Sequence, residues 1–359
     1  LLIEDRIVCL CARQNFNGMQ RQQLINICQN NQIAWDKVFN IAQEQHVAPL
    51  VHLNLSGDGL QALQIPQVIL SKFKKAYIHN IFVKQGTAKI LEQVLALFAR
   101  KGIEVMLIKG EALNHLVYKQ PWYTISYDVD LVIKARQDEI DEADHQEIIE
   151  TLEGFNHQLN EFKEHIEYDY YAHHDFTMNN TLPIDSERIW QEAQKIQVSG
   201  YDVFVMTPED MLIAAAINSC RKRFFRLKSL CDILAIIEQY PDLDWAKLAR
   251  KASNYKCNTI VYTALVVTQT LLEYSLPNHV LGLLKINPLR AAAIKHLVNK
   301  LCQDFSLSEL YDRSEGTMLG REFSWPLILT YATYRLDYLG PKLGEIYAAW
   351  RNPPPPVPG

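Results

Sequence analysis

Asp128 and Asp130 stand one residue apart at the start of an apolar run, Leu131-Val132-Ile133, that predicts a β-strand over 127–133. Residues i and i+2 of a strand point to the same side of the sheet, so both carboxylates face one way. Like charges that close repel unless a cation lies between them. Oxygen ligands at this spacing suit Mg²⁺, which is commonly held by one or two carboxylates plus substrate phosphates. The chemistry implied is reaction at a nucleoside triphosphate.

Other residues fit the same purpose. Lys109-Gly110-Glu111 follows the apolar segment Val105-Met106-Leu107-Ile108. Gly110 would let the backbone approach phosphates and aim N–H groups from a helix N-terminus at them. Lys109 would neutralise phosphate as a point cation. Further on, Arg221-Lys222-Arg223 and Arg226-Leu227-Lys228 form a basic cluster, with Lys228 four residues before Asp232. That spacing puts Lys228 and Asp232 on one helical face. The cluster reads either as a positive wall toward the triphosphate, with Arg223 and Lys228 as its nucleotide-binding members, or as a solvated face with an internal ion pair. His165, His173 and His174 lie on predicted strands near Asp175 and lack the helical spacing of a zinc protease.

The elements that must position these residues come in three regions. Residues 1–101 read as helical, with long apolar periodicity from 67 to 101 and Gly102 where a helix end favours a left-handed residue. Residues 102–206 mix strands and helices. Strands are predicted at 104–109, 127–133, 164–171, 173–178, 182–190 and 201–206, with helices at 111–117 and 137–152, the latter ending at Gly154. Residues 207–350 read as helical again: 209–223, 225–239, 244–254, 258–273, 288–303 and 327–350. Thr207-Pro208-Glu209-Asp210 is the start signal, with Thr207 as cap, Pro208 in the first turn and Asp210 completing a capping box. Residues 351–359 form a proline-rich tail. The fold class is α+β, a mixed sheet with helices between two helical regions.

Composition narrows the partners. The chain has 359 residues, 48% of them hydrophobic, and a net charge of −5. The acidic balance argues against a long nucleic acid as partner. Seven scattered cysteines without a CxxC or zinc spacing read as reduced thiols of a cytoplasmic protein. No apolar run reaches the roughly 18 residues of a membrane span. The start lacks the shape of a signal peptide, and the first residue is Leu, which fits a chain that begins inside a longer one.

In their order along the chain, these pieces resemble the DNA polymerase beta-like nucleotidyltransferase superfamily. More closely, they resemble a bacterial branch of uncharacterised nucleotidyltransferases. The residues that carry the resemblance are Ile108-Lys109-Gly110-Glu111-Ala112-Leu113, Tyr118, Asp128-Val129-Asp130-Leu131-Val132, Pro183-Ile184-Asp185 and Pro208-Glu209-Asp210. The resemblance implies two Mg²⁺ ions, with Mn²⁺ as a substitute, held by Asp128, Asp130 and a third carboxylate on a neighbouring strand. Asp185 is the expected third member, and Glu187, on the same face of the predicted strand, competes for that role. It also implies in-line transfer of a nucleoside monophosphate from a triphosphate, with ATP as the expected donor, to a small-molecule or protein acceptor. There is one departure. Thr124 stands where the branch often has an arginine, four residues before the first Asp. Glu111 stands where the superfamily often has Ser or Gly, and is expected to point away from the phosphates or to serve as an early helix charge.

Two other readings stand beside transfer. Thr124 and Glu111 favour a nucleotide-binding module without catalysis, which the retained Asp pair disfavours. A helical interaction scaffold would bind no nucleotide. The apolar helices at both ends fit an acceptor groove and a dimer surface equally.

Overall fold

The computed structural model describes residues 1–57, 63–126, 128–134, 140–159, 165–170 and 182–310. The chain opens with α1 (Ile3–Cys11), α2 (Gly18–Gln29), α3 (Trp35–Glu44), α4 (Ala48–Leu55) and the long α5 (Gln67–Arg100). It then alternates: β1 (Val105–Leu107), α6 (Lys109–Leu116), β2 (Asp128–Ile133), α7 (Glu142–Leu159), β3 (His165–Tyr170), α8 (Ser186–Glu192), β4 (Gln194–Val198) and β5 (Tyr201–Val205). The helices α9 (Pro208–Arg221), α10 (Leu227–Gln239), α11 (Trp245–Asn254), α12 (Asn258–Leu271), α13 (Val280–Leu283) and α14 (Pro288–Asp304) follow. The α+β class expected from the sequence is the one observed.

The sheet runs β3-β2-β1-β5-β4. β1 is antiparallel to β2 and parallel to β5, β2 is parallel to β3, and β4 is antiparallel to β5. Alternation along the strands divides the core. Val105, Leu107, Val129, Leu131 and Ile133 join Leu91, Val94 and Phe98 of α5 and Ile148 and Leu152 of α7 on one face. Met106, Ile108 and Val132 join the larger core on the other face, which takes in both the N-terminal and the C-terminal helices. Asp128 and Asp130 share the parity of Val132, so they lie on the face toward α9 and α10. Leu131-Val132-Ile133 is continuously apolar because this central strand is covered on both sides.

Local chemistry accounts for the helix ends. Thr207 accepts the Asp210 N–H, with Pro208 in the first turn of α9, as the start signal predicted; the expected capping box is not closed, because the Asp210 carboxylate accepts the Thr207 hydroxyl at 2.8 Å instead of the Thr207 N–H. Gly102 has φ +66°, as its position after α5 required. Two further expectations fail. Residues 182–190 are not a strand: Asp185 caps α8 by accepting the Arg188 N–H at 2.9 Å. A short polar side chain that bonds the backbone three residues on favours a helix start over a β ladder, and that local bond overrode the aromatic and β-branched pattern. The helix predicted to end at Gly154 continues to Leu159, because a single glycine costs only about 1 kcal/mol in a helix that packs Ile148 and Leu152 against the sheet. β4 had no signal in the sequence; its register partner β5 forms it. The segments at 173–178 and 327–350, the 351–359 tail, His173 and His174 lie outside the described residues.

None of the seven cysteines, all of which lie among the described residues, forms a disulfide. Burial pushes Cys257 up to about 12 and Cys28 and Cys302 to about 11, so they pack as small apolar groups. No helix among the described residues is long and apolar enough to cross a membrane.

Candidate active site

The β1–β2 ladder sets the carboxylates against the strand-to-helix turn. Leu107 pairs with Leu131, and the Ile108 N–H donates to the Asp130 carbonyl at 3.2 Å. The chain then leaves the sheet through Lys109, whose φ is +51°, and enters α6. A left-handed backbone at a non-glycine residue costs about 1–2 kcal/mol and marks a turn held by its surroundings. One element of those surroundings is the Lys109 ammonium, which donates to Asp130 Oδ1. Asp130 is 7% exposed and Asp128 is half-buried at the strand entrance. The two carboxylates and the first turn of α6 therefore open into one space.

A side chain at Gly110 would be crowded. A Cβ there would sit 3.1 Å from Ser126 Cβ, 3.3 Å from Ser126 Oγ and 3.7 Å from Lys228 Nζ. Ser126 cannot easily retreat. Lys84 of α5 donates to both its carbonyl and its hydroxyl at 2.9 Å, and Asn80, one turn earlier, donates to the carbonyls of Trp122 (2.8 Å) and Thr124 (3.0 Å). Two polar residues on the buried side of α5 thus tie down the 122–126 segment that leads into β2.

The opposite wall is basic. Asn218, Arg221 and Lys222 at the end of α9, and Arg226, Lys228 and Ser229 at the start of α10, face Lys109, Gly110, Ser126, Asp128 and Asp130 across a cleft of about 860 Å³. Arg223 and Phe224 between the helices both have positive φ, 54° and 65°. Phe224 and Phe225 are fully buried. Burying each is worth about 2–3 kcal/mol, which outweighs the roughly 1–2 kcal/mol of each left-handed residue and fixes the turn. The N-terminal region completes the wall. Gln45 accepts the Leu227 N–H at 2.8 Å, and Arg226 Nη2 lies 3.0 Å from the His46 ring nitrogens. Burial, then Arg226, Lys228 and Lys222, push the His46 pKa down to about 3, so the imidazole is neutral near pH 7.

Lys228 is fixed from behind. Its ammonium donates to Asp232 Oδ2 at 2.7 Å, and the Tyr118 hydroxyl donates to Asp232 Oδ1 at 2.7 Å. Asp232 and Tyr118 are 4% and 6% exposed.

Of the residues expected from the sequence, the cleft brings together Asp128, Asp130, Lys109, Gly110 and Lys228. Arg223 is not among the lining residues; Arg221, Lys222 and Arg226 from the same basic cluster are. Asp185 is exposed, caps α8 and does not line the cleft, and Glu187 lies in the first turn of the same helix rather than on a shared strand face. In the β2–β3 register, His165 is the Cα partner of Asp128 and Glu167 that of Asp130. Among the described residues no three His, Cys, Asp or Glu side chains converge on one point. A pair of aspartates facing a cationic cleft still suits Mg²⁺, whose remaining ligands are commonly phosphate oxygens and water.

Thr124, the departure, and Glu111 both serve the fold. Thr124 is 1% exposed and donates to Asn114 at 3.1 Å. Glu111 is turned away from the cleft into bonds with Asn114 and His115, both 3.1 Å. Burial pushes its carboxyl up, but His115, Lys84 and Asn114 together hold it below the usual range. Sequence reasoning missed His46 and Asn218, which join the cleft only in space, and Ser126, two residues before Asp128. It also missed Asn80 and Lys84, whose signal was readable: two polar residues four apart interrupting a buried helical stripe.

A family model described as an uncharacterised nucleotidyltransferase matches residues 31–273. No curated protein and no solved structure matches the chain.

Proposed function

The chain belongs to this uncharacterised nucleotidyltransferase family, and on that premise we propose that it moves a nucleoside monophosphate from a triphosphate to a hydroxyl or phosphate oxygen of a small-molecule or protein acceptor. ATP is the donor to test first. The observation that supports this reading is the convergence of Asp128, Asp130, Lys109, Gly110 and Lys228 on one cleft.

Asp128 and Asp130 would hold Mg²⁺, two ions in the full site, with Mn²⁺ fitting the same oxygens. When bound, the metal activates the acceptor oxygen and neutralises the leaving group. The residues themselves orient and neutralise. The first turn of α6 offers backbone N–H groups beside Gly110. Lys228, Arg226, Arg221 and Lys222 supply positive charge toward pyrophosphate. The acceptor oxygen bonds to the α-phosphorus, the bond to the β-phosphate oxygen breaks, and pyrophosphate leaves with that electron pair. The acceptor proton passes to Asp130 or to solvent. The third carboxylate that the resemblance implies is Asp185, which caps α8 and does not line the cleft. Seven cysteines without a disulfide support a reducing, cytoplasmic setting.

Calorimetric titration with ATP, GTP, CTP and UTP, each with and without Mg²⁺, tests the reading. Metal-dependent binding of one nucleotide that vanishes in Asp128→Asn/Asp130→Asn is the expected result. A folded wild type that binds none of the four would overturn it.

A further inference from the structure

Helix α6 meets α10 near both ends. At its start, Gly110 lies against the Lys228 ammonium, 3.7 Å from where a Cβ would be. Just beyond its end, Tyr118 reaches Asp232 at 2.7 Å. Lys228 and Asp232 are one turn apart on α10 and joined at 2.7 Å. The three side chains form one line from the core to the cleft. Tyr118 and Asp232 are buried, while Lys228 lines the cleft. Tyr118 stays a donor, because burial and the neighbouring Asp232 push its pKa well above the ordinary value.

We propose that Tyr118 and Asp232 are positioning residues that hold the Lys228 ammonium against the α6 turn, where it binds the phosphates of the nucleotide. The inference rests on the nucleotidyltransferase reading and deepens it. A lysine side chain has several rotors and loses much freedom when its ammonium is fixed. Asp232 imposes that order before the nucleotide arrives, using one of the three N–H donors and leaving the others for phosphate. The Tyr118 hydroxyl occupies the other carboxylate oxygen, so Asp232 is anchored and cannot follow Lys228 or rotate away from it. Without Tyr118 the carboxylate keeps its charge but loses its fixed direction.

The test is a double-mutant cycle on binding of MgATP, and in turn of the other three triphosphates, with adenosine as a probe that lacks phosphates. Tyr118→Phe preserves the ring that packs in the core. It is expected to weaken triphosphate binding about fivefold to tenfold and to leave adenosine binding unchanged. Asp232→Asn provides a second variant and is expected to weaken it further. In a Lys228→Met background, Tyr118→Phe is expected to have no additional effect. A Tyr118→Phe loss that persists in that background, or that extends equally to adenosine, would mean a structural role and overturn the proposal. So would a Tyr118→Phe protein with wild-type triphosphate affinity. A wild type that binds no triphosphate overturns the nucleotidyltransferase reading and this proposal with it. Wild-type binding without the predicted coupling overturns this proposal alone.

Discussion

Helix α9 carries ionic clusters at both ends, and they are built differently. At its start, Asp210 is bonded to Lys251 at 2.5 Å, Lys251 also pairs with Glu192 at 2.9 Å, and Lys247 joins Glu192 (3.1 Å) to Glu209 (3.3 Å). Arg188 also pairs with Glu192 at 2.7 Å, so three carboxylates face three cations, and the Asp210–Lys251 pair is sealed, with side chains 2% and 3% exposed. At its end, about 21 Å away along the axis, Asp128, Asp130 and Asp232 face Lys109, Arg221, Lys222, Arg226 and Lys228 around an open cleft. The balanced cluster at the N-terminus puts Glu209 and Asp210 at the positive end of the helix dipole and closes the fold. The cationic excess at the other end lies beside open space, where an anion can enter. Charge balance and exposure together, rather than the presence of ion pairs, separate the sealed cluster from the one that lines the candidate site.

The comparison fails if the two ends respond alike to mutation. The largest effect belongs to the cleft. Asp130→Asn is expected to reduce pyrophosphate release by on the order of 10³-fold, the equivalent of about 4 kcal/mol, with an unchanged circular dichroism spectrum. Retained turnover would remove Asp130 from the chemistry. At the other end, Lys251→Met leaves Asp210 buried without its cation and is expected to cost about 3 kcal/mol in urea unfolding, with nucleotide affinity unaltered. A matching loss of nucleotide affinity would join the two ends into one functional unit.

Smaller changes sharpen the picture. Gly110→Ala pushes a methyl group against Ser126 Cβ at 3.1 Å, in a segment that Lys84 holds in place. Triphosphate affinity is expected to fall about tenfold, measured by calorimetry, while stability changes by about 1 kcal/mol. The smallest effect is a pH dependence. The His46 pKa is lowered in the folded protein from 6.5 to about 3 by burial and then by Arg226, Lys228 and Lys222. Between those values the unfolded chain binds the proton more tightly. The stability from neutral His46 is therefore complete above about pH 6.5 and is lost progressively as pH falls toward 3. The urea midpoint is expected to drop more between pH 7 and pH 5 in the wild type than in His46→Gln. Equal drops would assign the titration elsewhere.

The sequence by itself determined the parts of the site that depend on short spacing. Asp128 and Asp130 share a face because strand periodicity is two, Gly110 follows an apolar strand, and Thr207-Pro208-Glu209-Asp210 starts a helix through bonds only three residues long. It also determined the α+β class and most helix positions, because long apolar periodicities are local. Tertiary structure decided what no spacing encodes. It put His46 and Gln45 of the N-terminal region against the α9–α10 turn, selected Arg221, Lys222 and Arg226 over Arg223 for the cleft, and turned Asp185 from a predicted strand residue into a helix cap. Those outcomes depend on which sheet face each helix covers and on two buried phenylalanines that fix a left-handed turn. Burial energy summed over distant residues selects among conformations that the local sequence leaves nearly equal.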